Sequence, residues 1–366
     1  MPTLFDEVVG QPRAVAQLTA AARRSVHAYL LHGPAGSGKR AAARGLAAAL
    51  LCPDGGCGAC PTCKRVLRGT HPDLVEVERS GASLEVGEAR SIVARAQRRP
   101  LESSRQVVVI DDVHLDGKAV PALLKTVEEP PPATVFILLA DSTPPALDTI
   151  ASRCVQISFD PVPDRAVTAW LVARGVEPAH AEAVARASGG RLDCAELLVS
   201  DPAFAARQEE WRSIPSRLDG TGAAAAAASD QLLASTDEGL GSLRDQHARE
   251  LAELAEQSEA LGNKGIAGRR SVEDRHRREE RRWRTDELRF GLAALAGEYR
   301  DRLAANVDSG PGGSSPSVVN AGRVAGIQRV MRQVEVIDRA AAALGRNANE
   351  SLLLDALMVE LSGMNE

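Results

Sequence analysis

Gly33-Pro34-Ala35-Gly36-Ser37-Gly38-Lys39-Arg40 lies between an apolar run, Tyr29-Leu30-Leu31, and an Ala/Leu-rich run from Ala41 to Leu51. Strand, glycine turn and helix start are the context of a phosphate-binding loop. Glycines let successive backbone N–H groups converge on phosphate oxygens, and the helix N-terminus adds positive potential. Lys39 supplies a mobile charge for the terminal phosphates. The pattern should end in Ser or Thr, whose hydroxyl holds Mg²⁺, but position 40 is arginine. The cradle is intact and its metal ligand is missing, so nucleotide binding is retained as an expectation and Mg²⁺ coordination is not.

Outward from the loop, strands and helices alternate. Residues 11–25 show helical spacing of Val15, Leu18 and Ala22; Leu74-Val75-Glu76-Val77 is a short strand; Val86 to Arg99 reads as a helix. Val107-Val108-Val109-Ile110 is the continuous apolar run of a parallel strand buried on both faces. Ala119 to Glu129 reads as a helix, and Val135 to Ala140 and Val155 to Phe159 read as further strands. This order predicts an α/β domain with a parallel sheet over 1–160. Beyond it the strands stop: 161–202 reads as a small region of short helices and 203–366 as an all-α region. In the latter, Leu240, Leu243, His247, Leu251, Leu254 and Leu261 mark one helix, Ile327 to Leu344 another and Leu352 to Leu361 a closing one. Asn306 to Ser317, rich in Gly, Ser and Pro, reads as a loop. The six alanines Ala223 to Ala228 read as a helix or joint without chemistry.

Asp111 falls at the carboxyl end of a buried strand, where open α/β sheets bind ligands. With the glycine loop it would form a nucleotide site, reaching Mg²⁺ through water. Asp112 stands where hydrolysing P-loop proteins usually carry Glu. The alternative is that this pair merely caps the next turn. Cys52, Cys57, Cys60 and Cys63 follow the spacing C-x4-C-x2-C-x2-C, with Gly55, Gly56 and Gly58 among them. Four thiolates with no open position predict a structural tetrahedral Zn²⁺ in a module spanning 52–63. Cys154 and Cys194 read as core thiols.

Over 366 residues the net charge is −5, which excludes a globally basic nucleic-acid binder, and with 3% aromatics the cores are built from Ala, Leu and Val. Residues 269–289 hold nine arginines against six acids, read as a solvated helix laced with ion pairs. No apolar run is long enough to span a bilayer, and Met1 to Gly10 has no apolar core of a secretory signal. The expectation is a cytoplasmic protein.

Val9-Gly10-Gln11, His27 to Leu31, the four-cysteine module, His71-Pro72-Asp73, Leu123 to Pro131 and Ser152-Arg153-Cys154 together resemble the AAA+ subunits of bacterial DNA polymerase III clamp loaders, and most of all the delta-prime family. The resemblance covers residues 1–200. It implies a hetero-oligomer with gamma/tau and delta subunits that loads the sliding clamp on primed DNA using ATP, with no membrane partner. It also implies an AAA+ domain, a lid and a helical collar, the collar being 203–366. Arg153 would be an arginine finger acting on a neighbouring subunit's ATP. Motor subunits of the family carry Thr after the P-loop lysine and Glu after the first acid, where this chain has Arg40 and Asp112. Asp141 stands at the motor's Thr position, and Leu192 where its third-domain Arg would align, with Arg191 one residue early. The resemblance therefore implies a stator with little or no ATPase activity of its own. The alternative is an ATP-hydrolysing gamma/tau-like motor, and a third reading is a stand-alone P-loop enzyme.

Overall fold

A computed structural model describes residues 4–77, 86–115, 120–260, 269–308, 316–344 and 348–364. The chain forms two compact units, the first ending at Glu196 and the second beginning at Leu197.

The first unit opens with α1 (Pro12–Arg23), started by a proline that needs no N–H partner there, and β1 (Ala28–His32). Then come α2 (Lys39–Leu51), α3 (Pro61–Leu67), β2 (Leu74–Val77), α4 (Val86–Ala96), β3 (Gln106–Ile110), α5 (Val120–Glu128) and β4 (Thr134–Ala140). The short α6 (Asp148–Ala151), β5 (Val155–Ser158), α7 (Asp164–Val172) and α8 (Pro178–Ser188) follow. The five strands form one parallel sheet in the order β2-β3-β4-β1-β5. Successive residues of a strand point to opposite faces. Tyr29, Leu31, Val107, Val109, Ile137 and Leu139 accordingly pack with α1 and α2, while Leu30, Val108, Ile110, Phe136 and Leu138 pack with α4 and α5. Ala42, Ala43, Ala47 and Ala48 on α2 are fully buried. Small side chains there let the helix lie close on the sheet, which sets the P-loop at the carboxyl edge of β1.

α9 (Leu192–Ser200) spans the boundary at Leu197. The second unit is helical throughout its described residues: α10 (Pro202–Arg217), α11 (Gly222–Gly239), α12 (Gly241–Ala260), α13 (Arg269–Asp308), α14 (Pro316–Leu344) and α15 (Glu350–Gly363). Asp201, Thr221 and Asn349 cap α10, α11 and α15 by accepting backbone N–H bonds. Trp211, Leu232, Leu288, Leu295, Ile337, Leu357 and Met358 form its core. The alanine run opens α11, where Ala225 and Ala228 enter that core.

One boundary differs from the sequence expectation. Helix α13 reaches Asp308 and α14 opens at Pro316, so the loop expected over 306–317 is cut back from both ends, and its remainder, 309–315, lies outside the described residues. Arg302 pairs with Glu298 on α13, and a proline at the first helical position costs α14 no hydrogen bond. Leu261 of the leucine series also lies outside the described residues. The helix over 269–289 does carry interleaved ion pairs, Arg269 with Glu273 at 2.7 Å and Arg282 with Asp286 at 3.7 Å.

Candidate functional site: a P-loop closed on its own residues

The loop 33–38 leaves β1 and enters α2 at Lys39. Gly38, at the helix N-cap, has φ +90°, and Gly36 has φ +69°, the left-handed region that favours glycine. Gly36 is also clasped from outside: a Cβ there would overlap Asp193 Oδ1 and Arg191. The turn between α8 and α9 folds over the loop, with Leu192 N–H donating to Gly36 O at 2.9 Å. Gln11 ties the loop from below, its side-chain amide donating to Asp160 O at 2.5 Å and to Ser37 O at 3.4 Å.

Both cations of the loop are engaged within the chain. Lys39 is buried, donates to Gly33 O and Pro34 O at 2.6 Å each, and pairs with Asp141 at 2.8 Å. Arg40 pairs with Asp111 Oδ2. Burial and then the charge of Asp112 push the Asp111 carboxyl above the usual carboxylate range, against the pull of Arg40. Asp112 accepts a backbone φ of +55°, the only positive φ at a non-glycine among the described residues. Arg191, the residue one place early for a sensor role, is committed to Asp193 at 2.8 Å. Burial would raise the Asp193 carboxyl, but Arg191 outweighs it and holds it below its ordinary value.

Two participants carried no signal that sequence reasoning used. Asp193 brings a carboxylate beside the cradle from 157 positions beyond Gly36. His114 stands three residues after Asp111, and its Nδ1 accepts from Asp141 N–H at 3.2 Å. Asp112, His114 and Asp141 gather within 4.8 Å of one another, but that hydrogen bond already occupies the His114 nitrogen that lacks a proton.

Cys52, Cys57, Cys60 and Cys63 converge with their sulfurs within 4.8 Å of one another. Cys52 Sγ lies 3.9 Å from Cys57 Sγ and 3.7 Å from Cys60 Sγ. Those spacings are too long for a disulfide and match the edge of a tetrahedron of ~2.3 Å metal–sulfur bonds, about 3.8 Å. Cys60 N–H points at Cys57 Sγ and Cys63 N–H at Cys60 Sγ, both at 3.4 Å, the donors a thiolate knuckle needs. Burial would raise the Cys52 thiol, but the backbone N–H groups of Cys57, Gly56 and Asp54 prevail and bring it down to about 7. The donor set fits Zn²⁺. Helix α3 carries Cys63, with Pro61 at its first position, a helix that the sequence reading did not place in the module.

Arg153 sits after α6. Its guanidinium pairs with Glu128 and donates to Thr149 O at 2.6 Å, with more than a third of each ion-pair side chain exposed. Cys154, half-buried, packs on the core with its thiol pushed up to about 12 by burial, and Cys194 is buried, as expected of core thiols.

This geometry defines a P-loop α/β domain carrying a tetracysteine module. Residues 10–163 match the family described as DNA polymerase III, delta subunit. The chain is 33% identical to the DNA polymerase III subunit delta' of Bacillus subtilis over 182 residues, 49% of this chain and 55% of the relative. It is 40% identical to the delta' subunit of Pseudomonas aeruginosa over 174 residues, 45% of this chain and 53% of the relative. The Bacillus subtilis subunit tau is 34% identical over 54% of this chain and 37% of its own length. The chain thus spans about half the length of the delta' relatives it matches. A solved gamma-subunit-related protein of Thermotoga maritima aligns over 95% of this chain and 99% of its own, at 16% identity and a TM-score of 0.39. The likeness to DNA polymerase III clamp-loader subunits read from the sequence is borne out over residues 10–163. No helix among the described residues is long and apolar enough to cross a membrane.

Proposed function

We propose that the chain is a stator subunit of delta-prime type in a DNA polymerase III clamp loader. It works with gamma/tau and delta subunits to place the sliding clamp on primed DNA. It lends Arg153 to a neighbour's ATP and hydrolyses little or none itself. The observation that carries this reading is the pairing inside the loop: Lys39 is held by Gly33 O, Pro34 O and Asp141, and Arg40 by Asp111. A nucleotide entering the cradle must displace the first set. A metal must displace the second and finds no hydroxyl in return.

Arg153 is poised differently. Its exposed pair with Glu128 is worth at most ~1 kcal/mol, so the guanidinium is released at little cost when an anionic phosphate approaches across an interface. There it would neutralise charge on the transferring phosphoryl group. The four cysteines would hold a structural Zn²⁺, which crosslinks the segment after α2 to α3 and takes no part in the reaction. The domain plan is an AAA+-type domain over 1–160, a lid over 161–202 and a collar over 203–366.

The test is reconstitution of the complex with Arg153→Ala. ATP turnover at the site facing this subunit should fall by ~10³-fold or more, while the variant keeps its melting temperature and still assembles. Unchanged turnover rejects the finger role. The matches to gamma and tau subunits, each over about half of this chain, favour one second reading, an ATP-hydrolysing motor. DNA-stimulated ATP turnover by this chain alone would establish that reading and reject the stator.

A further inference from the structure

The four cysteines of the module are not equivalent. Cys52 and Cys63 are buried, Cys60 is half-buried and Cys57 is exposed. Cys57 stands on a turn whose neighbours Gly55 and Ala59 are exposed as well. A small solute therefore meets the Cys57 sulfur first. The two halves of the module also differ in what holds them. Cys60 caps α3, its sulfur accepting from Cys63 N–H at 3.4 Å, and Cys63 lies on that helix, whose Val66 is part of the core. A sulfur leaving this half gives up a helix cap. Cys52 and Cys57 are joined by Pro53-Asp54-Gly55-Gly56. Gly55 has φ +67°, and nothing lies within 4 Å of the place a Cβ would take there. The Cys52 and Cys57 sulfurs, 3.9 Å apart, must close by ~1.9 Å to form a disulfide, a movement a glycine turn in open space can absorb. Cys52 Sγ lies 3.7 Å from Cys60 Sγ as well, but that pair leaves out the exposed sulfur and uncaps α3.

We propose that Cys57 is an oxidation site for hydrogen peroxide and Cys52 its resolving thiol, which makes the module a reversible, peroxide-sensitive clasp. An exposed cysteine with a second thiol beside it is the arrangement that oxidises reversibly. The Cys57 sulfur attacks the peroxide, breaks its O–O bond and keeps one oxygen as a sulfenic acid, while the other leaves as hydroxide and is protonated to water. The Cys52 sulfur then attacks Cys57, the S–S bond forms, and the second oxygen leaves in the same way. Two thiolates, one peroxide and two protons thus give one disulfide and two waters, and the two electrons lost by sulfur reduce the peroxide. Only Cys60 and Cys63 then remain as metal ligands, and a closed four-thiolate site becomes an open one that gives its ion up. The rest of the first unit is held independently. Leu51 and Val66 keep α2 and α3 on the core, and Arg65 on α3 pairs with Glu102. This chemistry presupposes the structural Zn²⁺ proposed above and needs nothing of the clamp-loader reading.

The test treats the zinc-loaded full chain, freed of reductant, with hydrogen peroxide. Released zinc is read with a colorimetric chelator, and disulfides are mapped by thiol alkylation and peptide mass. One zinc should leave for each disulfide formed, the first disulfide should join Cys52 to Cys57, and Cys154 and Cys194 should stay alkylatable under denaturant. A dithiol reductant with added zinc should restore the starting protein. Cys57→His keeps a fourth metal ligand but removes the oxidisable sulfur, so peroxide should release its zinc at least ~10-fold more slowly. A first disulfide that omits Cys57 overturns the proposal, as does equally fast release from Cys57→His. Should that variant load no zinc, the disulfide map of the wild type decides alone. Wild type that keeps its zinc and its thiols in excess peroxide removes this inference and leaves the zinc site standing. Wild type that carries no zinc before peroxide is added removes both.

Discussion

Replacing Arg40 by threonine restores the hydroxyl that a P-loop presents to Mg²⁺ and removes a fixed positive charge from beside it. Arg40 is 40% exposed and Asp111 24%, so losing their pair costs ~1 kcal/mol at most and the variant folds. The gain is electrostatic. A divalent cation about 5 Å from a guanidinium is repelled by ~1.7 kcal/mol in a water-like dielectric, and by more in a drier setting. The half-exposed position favours the lower end, so removing Arg40 is worth about 2 kcal/mol, or ~30-fold in affinity, to a metal-bound nucleotide. Losing Arg40 lifts the Asp111 carboxyl further above the ordinary range, and a metal brought beside it would restore the charged form. The assay is titration of fluorescent ATP into wild type and Arg40→Thr, each with Mg²⁺ and with chelator. The variant's Kd should fall ~10- to 30-fold with Mg²⁺ and change less than about threefold without it. An equal gain in both conditions would show that Arg40 acts by bulk. No gain in either would show that the Lys39–Asp141 contact, rather than Arg40, closes the site.

Three further outcomes test the framework around this site. Protein purified without chelator should carry one zinc per chain by elemental analysis, falling to near none in Cys60→Ser, and finding none in wild type would remove the site. Asp73, buried, accepts the N–H groups of Leu101, Glu102 and Ser103 at 2.5, 2.9 and 2.7 Å. Burial would raise its carboxyl, but these donors prevail and hold it below the ordinary value. Its stability contribution is therefore full above the unfolded pKa of about 3.9 and is lost as pH falls through the lower folded value. Asp73→Asn should cost ~2–4 kcal/mol at pH 7, with the difference from wild type shrinking below about pH 4, and a pH-independent difference in denaturant midpoint would refute the assignment. On α13, a Cβ at Gly291 would overlap the Trp211 indole, so Gly291→Ala should destabilise the second unit by ~1–3 kcal/mol in calorimetry despite alanine's better helix propensity. A rise in melting temperature would mean that Trp211 repacks freely.

The local parts of the site were legible because each is a short pattern with its own physics. Gly33 to Lys39 announces a strand-to-helix turn, and Val107 to Ile110 announces a buried strand with Asp111 at its mouth. The cysteine spacing likewise implies converging thiols. What the sequence could not convey is how these parts are used, because that depends on residues far along the chain. Lys39 reads as a phosphate ligand until Asp141, 102 positions later, is found 2.8 Å away. Gly36 reads as a turn residue until Asp193 arrives over it. The same holds in the second unit. His247 was visible only as one position in a leucine series, and His276 only as part of a charged run. Yet the two rings stack at 3.9 Å and 4°, with Glu279 on one and Glu250 on the other. Helical period placed each histidine on its helix, but only the pairing of α12 with α13 brings the rings together. A pattern thus reports what a segment can form, and the distant partner decides what it does. For this P-loop the distant partners are carboxylates, Asp141 on the lysine and Asp193 beside the glycine, where a nucleotide would require room for phosphate.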